Sequence, residues 1–231
     1  MESIVQFFHL ILIGFVMMLP LANPLTSMSL LLALGKDLSN FERKKQVRQA
    51  AIYVVGIMLV TYYAGSFVLS AFSISLPGMR IAGGLIVAYI GFKMLFPSTT
   101  LSDIPEAQQV EEDGQAVKRI VPNLAFVPLA MPGTAGPGTM ALIMSAASQI
   151  QASQHHYAAW VILLVPVVVA GLLGLLFYVC LRSADRIVAM VGQDAVEAVA
   201  RIMGFLLVCM AVQFVIDGVL TISSHPELYV K

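Results

Sequence analysis

The sequence predicts an all-α integral membrane protein with six transmembrane helices, arranged as two inverted three-helix repeats. Three observations lead to this fold class: a very apolar composition, six apolar stretches of span length, and a motif that occurs twice. Of the 231 residues, 59% are hydrophobic and 11% are charged, whereas about a quarter of the residues in a soluble domain are charged. The mean hydropathy of +0.88 agrees, so most of the chain should lie in lipid.

Six apolar stretches are each long enough to cross the hydrocarbon core of a bilayer, which takes about 20 apolar residues. They are 4–34, 48–72, 79–96, 121–148, 157–181 and 198–222. Ser39 with Glu42 has the pattern of a capping box ahead of the second stretch. Asp194 with Glu197 has the same pattern ahead of the sixth, and Pro77 suits the first helical turn of the third. The fifth stretch has almost no polar side chains, so we expect a scaffold helix that faces lipid.

An internal repeat divides the chain into two halves. Residues 19–34 (LPLANPLTSMSLLLAL) and 127–142 (VPLAMPGTAGPGTMAL) are identical at seven of sixteen positions. Residues 80–87 (RIAGGLIV) and 201–208 (RIMGFLLV) are identical at five of eight. The predicted organisation is a first repeat at 1–96, a flexible polar linker at 97–119, a second repeat at 120–222 and a short tail at 223–231.

The number of spans in each half sets the relative orientation of the repeats. Three spans are an odd number, so the second half enters the membrane from the side opposite to the first, which makes the repeat inverted. With six spans, eleven Lys and Arg residues fall on one side and two on the other. The positive-inside rule then places the linker in the cytoplasm and both termini in the periplasm.

The first and fourth stretches each contain a break near their middle, rich in Pro, Gly and Thr. Proline removes an amide donor and clashes with the preceding helical turn. The freed backbone groups cannot face lipid, so they must be covered by protein or line a polar cavity. A single proline kink often serves only packing, but two matched kinks in inverted halves favour a substrate site formed by broken helices. The candidate substrate-binding residues are Asn23, Pro24, Thr26, Pro132, Gly133, Thr134, Gly136, Gly138 and Thr139.

The chemistry of the breaks favours a small zwitterion. A half-helix that starts after Pro24 or Pro132 presents free amides and partial positive charge, which can receive a carboxylate. Asn23 and the opened carbonyls can accept hydrogen bonds from an ammonium group. Small residues at the breaks, such as Ala22 and Ala130, leave little room for a large side chain. We therefore expect substrates of the size of glycine, alanine or serine.

Four segments of the chain resemble the MarC family of membrane proteins. They are PLANPLT at 20–26, RIAGGLIVAYIGFKMLFP at 80–97, FVPLAMPGTAGPGT at 126–139 and RIMGFLLVCMAVQF at 201–214. The resemblance covers essentially the whole chain outside the linker. The family is related to small neutral amino acid transporters and, more distantly, to exporters built from three-helix repeats. The resemblance therefore implies a secondary transporter of the inner membrane for small neutral amino acids.

Other residues suggest further roles or exclude them. Asp217 and, one turn deeper, Gln213 are candidates for coupling to protons or sodium ions, because carboxylates in membrane helices often serve ion pathways. Arg201 follows Glu197 by four residues, and we expect the two to form an ion pair. The chain contains no Walker motif, H-E-x-x-H or G-x-S-x-G, so neither ATP-driven transport nor an enzyme is predicted.

The expected partners are the lipid bilayer and a small neutral amino acid. No metal or other cofactor is predicted, and the zero net charge gives no reason to expect nucleic acid. A channel-like subunit, or an assembly subunit of a membrane complex without amino-acid transport of its own, remains the alternative. The chain has no strict G-x-x-x-G motif that would indicate a dimer face, so the oligomeric state stays open.

Overall fold

The computed structural model describes residues 2–22, 24–35, 38–96, 124–131, 134–152 and 157–224. Within these ranges the chain is helical and has no β-strand. The helices are α1 (Glu2–Met18), α2 (Pro24–Leu34), α3 (Asn40–Ala71), α4 (Leu76–Leu95), a short π-helical segment (Ala125–Ala130), α5 (Pro137–Ala152), α6 (Ala159–Arg182), α7 (Ala184–Val191) and α8 (Gln193–Ser224). The linker predicted from the sequence lies outside the described residues, as does the predicted tail from residue 225 onward; Ser223 and Ser224 still belong to the last helix.

Among the described residues, four helices are long and apolar enough to cross a membrane: α3, α4, α6 and α8. Helix α1 is apolar but shorter. Many large apolar side chains of these helices are exposed on the protein surface; Phe67 and Ile202 are examples. Such a surface suits a lipid environment, in which exposed apolar groups carry no hydration penalty. The all-α membrane class predicted from the sequence is confirmed.

Local start signals set the beginnings of α3 and α4. The Ser39 hydroxyl accepts a hydrogen bond from the Glu42 amide at 3.3 Å, and the Glu42 carboxylate accepts one from the Ser39 amide at 2.9 Å. This confirmed capping box starts α3 before the apolar stretch itself begins, because the first turns of the helix are polar. The Ser75 hydroxyl caps α4 through the Gly78 amide, and Pro77 lies in its first turn as predicted.

The second predicted capping box is wrong, because α8 begins at Gln193 and Asp194 already lies inside its first turn. The cause is Gly192, whose φ of +87° ends the preceding helix and is accessible mainly to glycine. The Gly192 carbonyl then accepts a bond from the Val196 amide at 3.3 Å. The preceding helix, α7, was not predicted, since its eight residues are too short for the span pattern.

Helices α4 and α8 form a close antiparallel pair with small residues on both sides. The facing pairs are Gly91 with Gly204, Gly84 with Ala211, and Pro77 with Gly218. A Cβ atom added to Gly91 would lie 2.8 Å from the Gly204 carbonyl oxygen, and one added to Gly84 would lie 2.8 Å from the Ala211 carbonyl oxygen. The small residues recur every seven positions rather than every four. A search for G-x-x-x-G therefore does not find this contact.

Helix α6 does not only face lipid, and this correction concerns the fifth predicted span. Its Trp160 ring lies 5.3 Å from the Phe7 ring of α1, and its Ile162 carbonyl accepts a bond from the Tyr62 hydroxyl of α3 at 3.3 Å. A stretch that is apolar on every face has no periodicity to show which side is buried. The packing face therefore could not be predicted from this sequence.

Side-chain contacts define two ends of the helix bundle. At the first, the Arg80 Nε of α4 donates to the Ser145 hydroxyl of α5 at 2.9 Å. We call this the Arg80 end. At the other, Arg43 of α3 forms an ion pair with Asp185 of α7 at 2.9 Å, and we call it the Arg43 end.

Candidate functional site

The first repeated motif lies between α1 and α2. Helix α1 ends at Met18, the Ala22 amide donates to the Met18 carbonyl at 2.8 Å, and α2 begins at Pro24. A proline at the first helical position breaks no helical hydrogen bond, because an amide at this position would have no partner within the helix. Asn23 lies outside the described residues. Thr26 lies in α2, but its side chain is outside the described part.

The second motif joins the π-helical segment to α5. Inside this segment Val127 has extended backbone angles, with φ −119° and ψ 126°. The Ala135 amide donates to the Ala130 carbonyl at 3.0 Å, and α5 begins at Pro137. Pro132 and Gly133 lie outside the described residues, and the backbone on either side of them is not a continuous α-helix.

The two motifs are in contact although they are far apart in sequence. The Ser27 side chain of α2 is fully buried, and its hydroxyl donates to the Leu129 carbonyl at 2.9 Å. Gly138 packs against the first motif and against α4: an added Cβ would be 3.3 Å from the Leu21 Cδ2 atom of the motif and 2.6 Å from the Val87 Cγ2 atom of α4. Gly138 and the neighbouring Gly136 are both buried. Close backbone approach therefore explains the glycine at 138.

The two threonines of the second motif differ in their hydrogen bonding. The Thr139 hydroxyl donates to the Thr134 carbonyl at 2.8 Å. The Thr134 side chain is fully buried, and its hydroxyl has no hydrogen-bond partner among the described residues. Leaving such a group unpaired costs about 1–3 kcal/mol. Thr134 lies three residues before Pro137, at which α5 begins, so it is close in sequence to the helix end whose amides lack partners within the helix.

A buried glutamine, Gln46 of α3, was missed by sequence reasoning. Its side-chain oxygen accepts a hydrogen bond at 2.7 Å from the amide of Leu124, which directly precedes the π-helical segment. Gln46 is only 5% exposed, yet it lies among charged residues before the second apolar stretch, where a polar side chain is usually solvated. This bond fixes the start of the segment that carries the second motif.

We expect Gln46→Leu to lower the free energy of unfolding by about 1–3 kcal/mol, because the buried Leu124 amide would lose its acceptor. The measurement is the midpoint of thermal unfolding of the purified protein. Gln49→Leu is the matched control, because it makes the same change one turn later at a half-buried position of the same helix. Equal midpoints for both variants would show that the Gln46 bond does not stabilise the fold.

A cavity among the described residues lies beside the motifs rather than between them. Its volume is about 470 Å³, and its walls come from α1, α3, α5, α6 and α8. Its lining includes Met18, the last residue of α1, and Leu142 of α5. None of the described candidate substrate-binding residues lines it, whereas Gln213 and Asp217 do. The Gln213 side-chain amide donates to the Asp217 carboxylate at 2.8 Å.

The structure therefore divides the predicted site residues into two groups. Thr134, Thr139, Gly136 and Gly138 surround the start of α5, against the first motif. Gln213 and Asp217 lie in the cavity, toward the Arg80 end. No group of three or more His, Cys, Asp or Glu side chains suited to a metal ion occurs in the part of the chain that the structure describes.

The family model for "MarC family integral membrane protein" matches residues 8–223. The chain belongs to the MarC family. The inner membrane protein MarC of Escherichia coli (strain K12 / DH10B) is 49% identical over 215 residues, which cover 93% of this chain and 96% of that protein. The protein of the same name from Salmonella typhimurium (strain LT2) is 48% identical over the same shares of both chains. No solved structure matches.

Membership of the MarC family confirms the resemblance noted in the sequence. Together with the apolar helices, it establishes the chain as an inner-membrane protein with several membrane helices. The match covers both motifs and nearly all of the described residues. The polar side chains discussed above therefore belong to the family's own membrane region rather than to an added domain.

Proposed function

We propose that this protein is a secondary transporter for small neutral amino acids and binds its substrate between the two motifs. The observation that carries this proposal is the fully buried Thr134 hydroxyl without a partner, beside the N-terminal end of α5. Partial positive charge at a helix start favours a carboxylate, and a hydroxyl can donate to the same group. Because Gly138 is packed against Leu21, the space between the motifs suits a small side chain.

The architecture proposed for this function is a pair of inverted three-helix repeats with broken first and fourth spans. The first repeat would comprise α1 with α2, then α3 and α4; the second would comprise the π-helical segment with α5, then α6 and α8. Helix directions support this arrangement. Phe7 and Trp160 place the starts of α1 and α6 at the same end of the bundle, whereas the Gln46–Leu124 bond places the start of the π-helical segment at the Arg43 end.

The charge distribution supports an orientation with the Arg43 end in the cytoplasm. Of the Lys and Arg residues that the structure describes, only Arg80 lies near the Arg80 end. The others lie in the half of the bundle nearer the Arg43 end: Arg43, Lys44, Lys45, Arg48, Lys93, Arg182, Arg186 and Arg201. The positive-inside rule then gives periplasmic termini.

We expect single cysteines placed at Ser39 and Gln109 to be protected from an impermeant thiol reagent outside intact cells. A cysteine placed at Ser153 should react, because that position would face the periplasm. The measurement is labelling in a background without the two native cysteines, Cys180 and Cys209. Labelling of Gln109 with protection of Ser153 would reverse the proposed orientation.

Counterflow in proteoliposomes tests transport directly. Unlabelled alanine inside should accelerate the uptake of labelled alanine, because a carrier returns faster when it is loaded. Glycine and serine should compete, whereas lysine should not. An open channel gives no such acceleration, and an assembly subunit gives no uptake; either result would favour the alternative to a carrier.

We also propose that Asp217 and Gln213, which line the cavity, take part in proton or sodium coupling. The Gln213 amide donates to the Asp217 carboxylate, and the residues around Thr134 do not line the cavity. A dependence of alanine counterflow on pH or sodium that disappears in Asp217→Asn would support this role.

A further inference from the structure

Arg80 is a membrane-helix arginine without an acidic partner. Its guanidinium donates from Nε to the Ser145 hydroxyl at 2.9 Å and from Nη1 to the Thr221 hydroxyl at 3.4 Å. No carboxylate of the described residues lies within ion-pair distance of it. A charge near lipid is costly unless it is paired, hydrogen-bonded or near water, so an unpaired Arg80 in this position indicates a function.

Asp217 is an acidic residue without an ion-pair partner among the described residues. Its main-chain carbonyl is bonded to the Thr221 hydroxyl, which is also a partner of Arg80. Thr221 donates to the Asp217 main-chain carbonyl at 2.7 Å, so one side chain links the Arg80 guanidinium to the Asp217 residue. The Asp217 carboxylate accepts a bond from Gln213. It forms no ion pair with any described residue. A cationic side chain and the backbone of an acidic residue are therefore bonded to the same hydroxyl, and the two charged groups form no ion pair with each other.

Asp217 lines the cavity of about 470 Å³, and Arg80 is connected to it through Ser145. Asp217, Gln213 and Ser145, which receives the Arg80 bond, line it directly. Most of the remaining lining side chains are aliphatic or aromatic. The volume lies within the range of about 300–1,000 Å³ that is usual for small-molecule sites, and a few placed polar groups in an apolar cavity are typical of them.

We propose that this cavity binds a zwitterionic amino acid with a large apolar side chain, of the size of leucine. The α-carboxylate lies toward Arg80 and Ser145, the α-ammonium toward Asp217 and Gln213, and the side chain fills the apolar part. This site is separate from the one proposed between the motifs and does not depend on it. A ligand bound here occupies the space between the Arg80 end and Met18, so it should inhibit alanine entry from that side.

The first test measures binding to the purified protein in nanodiscs by isothermal titration calorimetry. The ligands are L-leucine, 3-methylbutylamine, which lacks the carboxylate, and 4-methylpentanoate, which lacks the ammonium group. We expect each analogue to bind at least about tenfold more weakly than leucine, because hydrogen bonds to charged groups are stronger than those between neutral groups. No leucine binding, or equal affinity for all three, would overturn the proposal.

Two variants test which residue binds the carboxylate of the ligand and which binds its ammonium group. Arg80→Gln should remove the preference for leucine over 3-methylbutylamine, the analogue without a carboxylate. Asp217→Asn should remove the preference for leucine over 4-methylpentanoate, the analogue without an ammonium group. Arg201→Gln is the matched control, because Arg201 is the repeat counterpart of Arg80 but is exposed and paired with Glu197. Unchanged preferences in both charge variants would contradict the assignment.

Ala146→Phe tests the site without altering a charge. Ala146 lines the cavity, and a phenyl ring there should remove leucine binding by filling the space. Retained leucine binding in Ala146→Phe would place the ligand elsewhere. Alanine counterflow of the same variants in proteoliposomes separates the two proposals, because Thr134→Val should weaken counterflow without changing the affinity for leucine.

Discussion

Replacing Gly204 by leucine should destroy the α4–α8 pair and with it most of the folded protein. A Cβ at this position would lie 2.8 Å from the Met94 Cβ and 3.0 Å from the Gly91 carbonyl oxygen. Backbone atoms cannot give way unless the helices separate, and overpacking a tight contact costs about 1–3 kcal/mol or more. With three further side-chain atoms beyond the Cβ, we expect a loss of about 3 kcal/mol or more. Size-exclusion chromatography of the detergent-solubilised protein measures the folded fraction.

Gly171→Leu is the matched control for this prediction. It makes the same substitution in α6, where an added Cβ would have no neighbour within 4 Å. Because leucine favours the helix more than glycine does by up to about 1 kcal/mol, this variant should be neutral or slightly stabilised. Equal folded yields for the two variants would mean that the α4–α8 contact is not as close as described.

Thr134→Val should weaken substrate binding and leave the fold intact. Valine keeps the shape of threonine and removes only a hydroxyl that has no protein partner. The free energy of unfolding should therefore stay the same or rise, since an unsatisfied buried group is removed. Loss of one hydrogen bond to the substrate should reduce affinity by about two- to twelvefold. Competition in alanine counterflow measures the affinity, and thermal unfolding measures the stability.

Thr139→Val should instead lower the stability of the fold. The Thr139 hydroxyl already bonds to the Thr134 carbonyl, so its loss should lower the free energy of unfolding by about 0.5–1.5 kcal/mol. Any effect on affinity would then follow from this local loosening. If Thr134→Val transports normally at normal abundance, the hydroxyl does not contact substrate, and the binding site must be sought in the cavity instead.

Local features of the fold were predictable because they depend on residues close in sequence. Ser39 and Glu42 form their capping box within one turn, and Arg201 pairs with Glu197 across one turn of α8. Asp194 shows the limit of this reasoning. It carries the same pattern, but α8 begins at Gln193, two residues before the start that an Asp194 cap would give, because Gly192 with its positive φ ends the preceding helix there.

Part of the candidate site could also be foreseen. The repeat predicted that the two motifs belong together, and the structure places Ser27 against Leu129 and Leu21 against Gly138. The repeat could not predict that the Thr139 hydroxyl has a hydrogen-bond partner and the Thr134 hydroxyl has none among the described residues. That depends on whether a carbonyl lies within about 3 Å of the hydroxyl, which the path of the folded backbone decides.

Composition, apolar stretch length and local caps by themselves determined that this chain is a helical membrane protein and where α3 and α4 begin. These are properties of single helices in lipid, where backbone groups must be satisfied within each segment. Only the tertiary structure showed the seven-residue spacing of small residues between α4 and α8, the buried Gln46 and the cavity that Ser145, Gln213 and Asp217 line. Each of these depends on atoms from distant parts of the chain meeting within a few ångströms. In a uniformly apolar helix, no local sequence pattern shows which residues make such contacts, because all faces of the helix are similarly apolar.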